Sequence, residues 1–157
     1  STQGVAPSSA SSIDISTSEM GLASSEPPVY RKSKSLFSYS ELIFYRVLME
    51  AVDNEYNVFG KVRMGDFIWL ANEPRDRKFH NNEVLCKHVD FLLCDKESQK
   101  PLLVIELDDS SHSRFDRKKN DEFKDKTFAD VGLAILRVKV QQRYSAAELR
   151  EQILDTL

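Results

Sequence analysis

Apolar residues recur at helical spacing after Phe37 and predict the first helix of the domain. Ser38 followed by Glu41 forms a capping box, and Phe37 and Leu42 have the spacing of a hydrophobic staple. The helix is therefore predicted from about Tyr39 to Asp53, with an apolar stripe wide enough to be buried against a sheet. Capping accounts for Glu41 fully; its second interpretation is an auxiliary acid that faces a site.

Three runs typical of strands follow, at about residues 56–62, 85–94 and 102–107. The last two are joined by a short polar turn suited to a hairpin, and they are apolar on both faces except for a few acids. That pattern indicates central strands covered by helices on each side. Between the first two runs, Trp69 is predicted to belong to the core, and residues 72–83 form a polar loop.

The rest of the chain alternates helix and strand. A helix is predicted from about Asp116 to Asp130, with Gly132 closing it, then a strand over residues 133–140 and a helix over 145–156 that Ser145 caps. The predicted fold class is α/β, with an α-β-β-β-α-β core whose central mixed sheet is flanked by helices. Residues 1–35, rich in Ser, are predicted to be a disordered tail or linker before a single domain over 36–157.

Acidic residues interrupt the two central strands. Side chains alternate along a strand, so Glu106 and Asp108 share the face of Val104. On the preceding strand, Asp90 shares the face of Leu92, and in a hairpin it comes close to Glu106. Neighbouring carboxylates repel each other, and burial makes that repulsion costly unless a cation, a proton or an arginine compensates.

The chemistry of these acids predicts a magnesium or manganese site. Asp90, Glu106 and Asp108 are hard oxygen donors of the kind that Mg²⁺ prefers, and the matching reaction is phosphodiester hydrolysis. His112 is a candidate proton shuttle that Asp121 would orient, or alternatively a loop histidine. Arg137 interrupts the last strand and either points at the site or pairs with one of the acids.

The net charge of the chain limits how it can bind nucleic acid. A net charge of −3 and a pI near 5.7 exclude bulk electrostatic coating of nucleic acid, so DNA contact requires a local basic patch. The alternative for the basic helix is a solvated face of mixed charge. Candidate contact residues on the helix and the last strand are Arg114, Arg117, Lys118, Lys119 and Arg137.

Location is predicted from three features of the chain. No apolar run is long enough to span a membrane, and the spacing of Cys86 and Cys94 favours buried reduced thiols in an intracellular protein. The expected location is the cytoplasm. The chain does not begin with Met, so a preceding partner domain or anchor is also considered.

The motifs HVDF and IELD, with Asp on the second core strand and Glu on the third, resemble the PD-(D/E)XK, or restriction-endonuclease-like, nuclease superfamily. More narrowly, the pattern from VDF through IELD, His112 and ILRV is similar to an uncharacterised bacterial domain family related to very-short-patch repair endonucleases. The resemblance implies a divalent metal on Asp90 and Glu106, and it places Asp108 where the parent motif has a catalytic lysine. Lys124 on the following helix is the better substitute by reach.

Three hypotheses follow from these residues. The first is a metal-dependent DNA nuclease, with Asp90, Glu106, Asp108, His112, Asp121 and Lys124 as its catalytic residues. The second is a nuclease-like module that binds nucleic acid or a protein without cutting. The third is a structural ion-pair network. Carboxylate oxygens that converge on an open point favour metal, whereas oxygens capped by Arg, Lys or backbone N–H favour the network.

Overall fold

The computed structural model describes residues 29–71, 82–108 and 114–157; for residues 114–118 it describes the backbone only. Helix α1 (Tyr39–Val52) precedes three strands, β1 (Tyr56–Arg63), β2 (His88–Asp95) and β3 (Pro101–Asp108). Helix α2 (Arg114–Val131), strand β4 (Ala134–Lys139) and helix α3 (Ala146–Thr156) complete the chain. This order matches the predicted one.

The four strands form one mixed sheet in the order β1-β2-β3-β4. The first three strands are antiparallel neighbours, and β4 runs parallel to β3. Strands β2 and β3 are therefore the central pair. The predicted α/β fold, a mixed sheet flanked by helices, is confirmed.

Two apolar clusters lie on opposite faces of the sheet, as the alternation of side chains predicts. On one face, Leu103 and Ile105 pack with Phe44 of α1 and Ile153 of α3. On the other, Val104 packs with Leu92 and with Phe128 of α2. Because Glu106 is two residues beyond Val104, its carboxylate lies on the α2 side of the sheet, where Lys124 of that helix reaches it.

The predicted helix ends are present in the structure. Both hydrogen bonds of the α1 capping box form: Glu41 N–H donates to Ser38 Oγ at 3.4 Å, and Ser38 N–H donates to Glu41 Oε2 at 2.8 Å. Gly132 follows α2 with φ of 65°, and Leu133 N–H donates to the carbonyl of Phe128 at 2.9 Å, which closes that helix end.

Three expectations about the segment before β2 were wrong. Strand β2 begins at His88, because residues 82–85 form a helical turn in which Cys86 N–H donates to the carbonyl of Asn82 at 3.0 Å. Cys86 consequently lies off the strand and is exposed, whereas Cys94 is buried as expected. Trp69 is also not a core residue: it is 78% exposed, and Ile68 beside it is buried instead.

Several expectations concern residues outside the described ranges. They are the disorder of the N-terminal tail over residues 1–28, the polar loop over 72–81, and the role of His112, which belongs to residues 109–113. The elements above belong to one compact unit, Lys34–Leu157. In the described ranges no helix is long and apolar enough to cross a membrane.

Candidate active site

Asp90 lies where the two central strands cease to pair. The pairing of β2 with β3 ends at Phe91 opposite Ile105, and one step further would set Asp90 opposite Glu106. Instead of a backbone pair, the Asp90 carboxylate accepts a hydrogen bond from Leu107 N–H at 2.8 Å. A side-chain oxygen thus replaces a ladder carbonyl, and it fixes the Asp90 carboxylate next to the strand that carries Glu106.

Glu106 is buried between the sheet and helix α2. Its Oε1 accepts a hydrogen bond from Lys124 Nζ at 2.5 Å, and the side chains are 15% and 13% exposed. Burial raises the pKa of Glu106 to about 7, although Lys124 and Arg137 lower it; the charge of Asp90 raises it further. Near neutral pH this carboxyl group therefore holds a proton in a large share of molecules.

Lys61 approaches the acids from strand β1. Its Nζ donates a hydrogen bond to Glu41 Oε1 and lies 4.0 Å from Asp90 Oδ1. Lys61 has a left-handed backbone, with φ of 56°, which interrupts the pairing of β1 with β2 opposite Asp90. A non-glycine residue rarely adopts this conformation, and here it turns the lysine out of the strand pattern toward two carboxylates.

Glu41 caps helix α1, as the sequence predicts, and it also contacts a lysine of strand β1. Its Oε2 accepts the capping hydrogen bond from Ser38 N–H, while its Oε1 accepts the hydrogen bond from Lys61. Burial raises the pKa of Glu41, but the hydrogen bonds from Lys61 and Ser38 outweigh that effect and hold the pKa below its ordinary value. The capping acid is therefore linked to Asp90 through a single lysine.

Charged residues form a row across all four strands. Lys61 falls opposite Asp90 in the gap in the β1–β2 pairing, and Asp90 would fall opposite Glu106 one step beyond the last β2–β3 pair. Glu106 is paired with Arg137 on β4. The row reads positive, negative, negative, positive. The two central acids are thus flanked by a cation on each side, which offsets part of the repulsion between them.

Arg137 is oriented toward helix α2. Its Nη1 donates to Asp125 Oδ1 at 2.6 Å, and its Nη2 lies 3.9 Å from Asp121 Oδ1. Of the two sequence interpretations, pairing with acids is the one observed, although the acids are those of the helix. Asp121, predicted to orient His112, faces Arg137 in this way, and His112 itself lies outside the described residues.

The remaining predicted residues are placed as follows. Asp108 ends β3 in an exposed position, and its carbonyl accepts a hydrogen bond from Val140 N–H at 3.0 Å. Lys119 is exposed on α2. The side chains of Arg114, Arg117 and Lys118 lie outside the described part of the chain. The structure therefore brings together Asp90, Glu106 and Lys124.

The donor chemistry of Asp90 and Glu106 fits a divalent cation such as Mg²⁺, which commonly takes one or two protein carboxylates. Within the described ranges, no three His, Cys, Asp or Glu side chains converge to form a fuller ligand set. Exposed Asp108 is two residues beyond Glu106. The carboxylates that fit a cation are therefore the pair on the central strands, and a lysine lies beside each of them.

Sequence reasoning missed Lys61. In the pattern YNVFGKVR it has the appearance of an ordinary lysine on an edge strand. The available signal was Gly60: the ring of Phe37 lies where a Cβ would stand, so a larger residue there would displace that ring. A glycine inside a strand often marks an irregularity, and the irregular residue here is its neighbour.

Comparison with protein families identifies the chain at the level of a family. The family described as Protein of unknown function (DUF2726) matches residues 33–157. The chain belongs to this family. The DUF2726 match covers every element of the fold and every residue of the site, from Glu41 to Arg137. Comparisons with curated proteins and with solved structures gave no match.

Proposed function

We propose that this DUF2726 domain is a divalent-metal-dependent nuclease that hydrolyses phosphodiester bonds of DNA. The observation that carries the proposal is the position of Asp90 and Glu106, which lie on the two central strands where their pairing ends, with Lys61 and Lys124 beside them. The two carboxylates can bind a cation, and the two amines can bind the anionic phosphate of a substrate.

In this proposal Asp90 and Glu106 would hold Mg²⁺ or Mn²⁺, which would supply Lewis-acid chemistry for the attack of water on the phosphate. The Lys124 ammonium group, which donates to Glu106 in the free protein, would also donate a hydrogen bond to the phosphate. This bond would stabilise the negative charge that grows on the phosphate in the transition state. Lys61, held by Glu41, places a positive charge 4.0 Å from the Asp90 carboxylate.

The resemblance to PD-(D/E)XK nucleases belongs to the same proposal. The element order α-β-β-β-α-β and the positions of Asp90 and Glu106 on β2 and β3 support it. Asp108 occupies the place of the motif lysine, and the 2.5 Å bond from Lys124 to Glu106 supports the helix lysine as its replacement. A DNA substrate and a location in the cytoplasm go together with this interpretation.

Cleavage assays test the proposal. The purified chain is incubated with single-stranded, duplex and nicked DNA, with Mn²⁺ or with a chelator, beside Asp90→Asn and Glu106→Gln. Glu151→Gln, an exposed acid on α3, is the matched control. We expect Mn²⁺-dependent cleavage that both site variants reduce by at least about 100-fold, as removal of one electrostatic group commonly does, and that the control retains. Cleavage that persists in the chelator or in both variants refutes the proposal.

A second function is favoured by one specific observation. Asp90 accepts a backbone N–H, and Glu106 accepts the Lys124 amine, so protein donors already satisfy at least one oxygen of each acid. That arrangement favours a nuclease-like module that binds nucleic acid or a protein without cutting. Binding of DNA by the chain, without cleavage in any metal, would select this second function.

A further inference from the structure

The face of helix α2 that meets the sheet changes from polar to apolar along its length. Asn120, Lys124 and Phe128 follow one another at intervals of four residues, so they share this face. Among the described side chains of α2, only Phe128 is buried, and it packs in one cluster with Val104 of the sheet. The two turns that carry Asn120 and Lys124 are therefore held on the sheet mainly by polar contacts.

Lys87, directly before strand β2, makes the contact at the first of these turns. Its Nζ donates a hydrogen bond to Asn120 Oδ1 at 2.7 Å and lies 5.1 Å from the centroid of the Phe123 ring, within the range of a cation–π contact. The Lys87 side chain is 17% exposed, and its amine also lies 3.3 Å from Glu83 Oε2. Its backbone is fixed as well, because its carbonyl accepts a hydrogen bond from Met64 N–H at 2.8 Å. Lys87 is thus a firm support for the helix on the side of β2.

Lys124 lies between two supports on this face of the helix. Phe128 anchors α2 one turn after Lys124. The bond from Lys87 to Asn120 anchors it one turn before. Four residues correspond to about 6 Å along the axis, at 1.5 Å per residue. A shift of the helix at Asn120 is therefore passed on to the amine that donates to Glu106.

A second polar contact of this part of the helix is more open to water. Arg137 Nη1 of β4 donates to Asp125 Oδ1 at 2.6 Å, but the two side chains are 33% and 50% exposed. Solvent screening leaves exposed ion pairs with little net strength. The better shielded contact from Lys87 is therefore the stronger restraint on this end of the helix.

We propose that Lys87 is a positioning residue of the candidate active site: through Asn120 it sets helix α2 where Lys124 reaches Glu106. Its part in the chemistry rests on the proposed nuclease function, in which the Lys124 ammonium group stabilises the phosphate. Misplacement of such a group by about 1 Å can cost on the order of 100-fold in rate. The positioning itself is measurable in the free protein, without metal or DNA.

Nuclear magnetic resonance of lysine ammonium groups tests the positioning, because a held ammonium group exchanges its protons with water more slowly than a solvated one. The Lys124 signal is assigned by its loss in Lys124→Met. Its exchange rate is then compared in the parent chain, Lys87→Met, Lys87→Arg and Asn120→Leu. Asn120→Leu breaks the contact without changing a charge, whereas Lys87→Arg keeps a donor. Lys126→Met, which removes a charge from an exposed position of α2, is the matched control, and thermal melting establishes that each variant is folded.

We expect Lys87→Met and Asn120→Leu each to speed exchange at Lys124 by about tenfold, the equivalent of one hydrogen bond to a charged group. Lys87→Arg and Lys126→Met should stay close to the parent chain. In Mn²⁺-dependent cleavage, the first two variants should lower kcat by about 10- to 100-fold with KM unchanged.

Three results overturn the inference: a Lys124 signal in the parent chain that exchanges as fast as a solvated lysine, a rate that neither substitution changes, or a rate that changes in Lys87→Met but not in Asn120→Leu. The exchange measurement needs no cleavage. A parent chain that does not cut DNA therefore refutes the proposed function and leaves the positioning of Lys124 by Lys87 to be judged by exchange.

Discussion

Lys124 Nζ lies 2.5 Å from Glu106 Oε1, so an amine of helix α2 neutralises an acid of the central strand from which water is largely excluded. The pair joins the helix to the sheet at the point where the proposed chemistry occurs. Because both side chains are nearly buried, the loss of one partner leaves the other without compensation.

Removal of the Lys124 amine should destabilise the fold and reduce cleavage. We expect Lys124→Met to lower the free energy of unfolding at pH 8 by about 1.5–3 kcal/mol, the usual range for a hydrogen bond to a charged group. Lys126→Met, on an exposed position of the same helix, should remain within about 0.5 kcal/mol of the parent chain. Urea unfolding measures both variants, and an equal change in the two would contradict a specific role for Lys124.

The raised pKa of Glu106 gives stability a defined pH dependence. In the folded state the pKa of Glu106 is about 7, whereas in the unfolded state the carboxyl group releases its proton near the ordinary pKa of 4.5. Between these values the folded state holds more protons, so this residue makes stability fall as pH rises. We expect the parent chain to lose about 1–3 kcal/mol across this window relative to Glu106→Gln. Unfolding curves at pH 5, 6, 7 and 8 measure the difference, and parallel profiles would refute the shift.

The two roles of Glu41 can be separated by substitution. Glutamine also functions at this position of a capping box, so Glu41→Gln should retain the cap while weakening the contact with Lys61. We expect cleavage to fall in Glu41→Gln with little change in melting temperature. In Ser38→Ala the stability should fall by about 0.5–2 kcal/mol through loss of the N-cap, with the cleavage rate of the folded protein retained. If Glu41→Gln instead cleaves at the rate of the parent chain, Glu41 serves only to cap the helix.

The left-handed conformation of Lys61 predicts different stabilities for two substitutions. Glycine adopts φ of 56° without strain, whereas methionine keeps the strain and loses the amine. Lys61→Gly should therefore be more stable than Lys61→Met by roughly 1 kcal/mol. Both should cleave more slowly than the parent chain, because both lack the ammonium group near Asp90. Equal stability of the two variants would mean that the strain at Lys61 is negligible.

Local signals in the sequence predicted most of the fold. The capping box at Ser38 and Glu41, the glycine that ends α2 and the alternation that separates Ile105 from Glu106 all depend on neighbours along the chain, and all appear in the structure. Trp69 was assigned wrongly because its hydrophobicity says nothing about whether another element covers it.

The site was only partly predictable for the same reason. The nearness of Asp90 to Glu106 could be predicted because a short turn joins their two strands. The contact of Lys124 with Glu106 could be predicted because the next helix packs on those strands. Lys61 acquires its importance from the register of β1 against β2 and from one unusual backbone angle. Neither quantity is encoded in residue type, so hydropathy and motif spacing do not reveal it.

Anomalous diffraction from crystals soaked in Mn²⁺ shows whether the two central acids hold a metal. We expect an anomalous peak within coordination distance, about 2.0–2.6 Å, of carboxylate oxygens of both Asp90 and Glu106. The peak should be absent in crystals of Glu106→Gln and retained in Glu151→Gln. A fully occupied Lys124–Glu106 bond with no peak between the two acids, in crystals that bind Mn²⁺ elsewhere or not at all, would contradict the account.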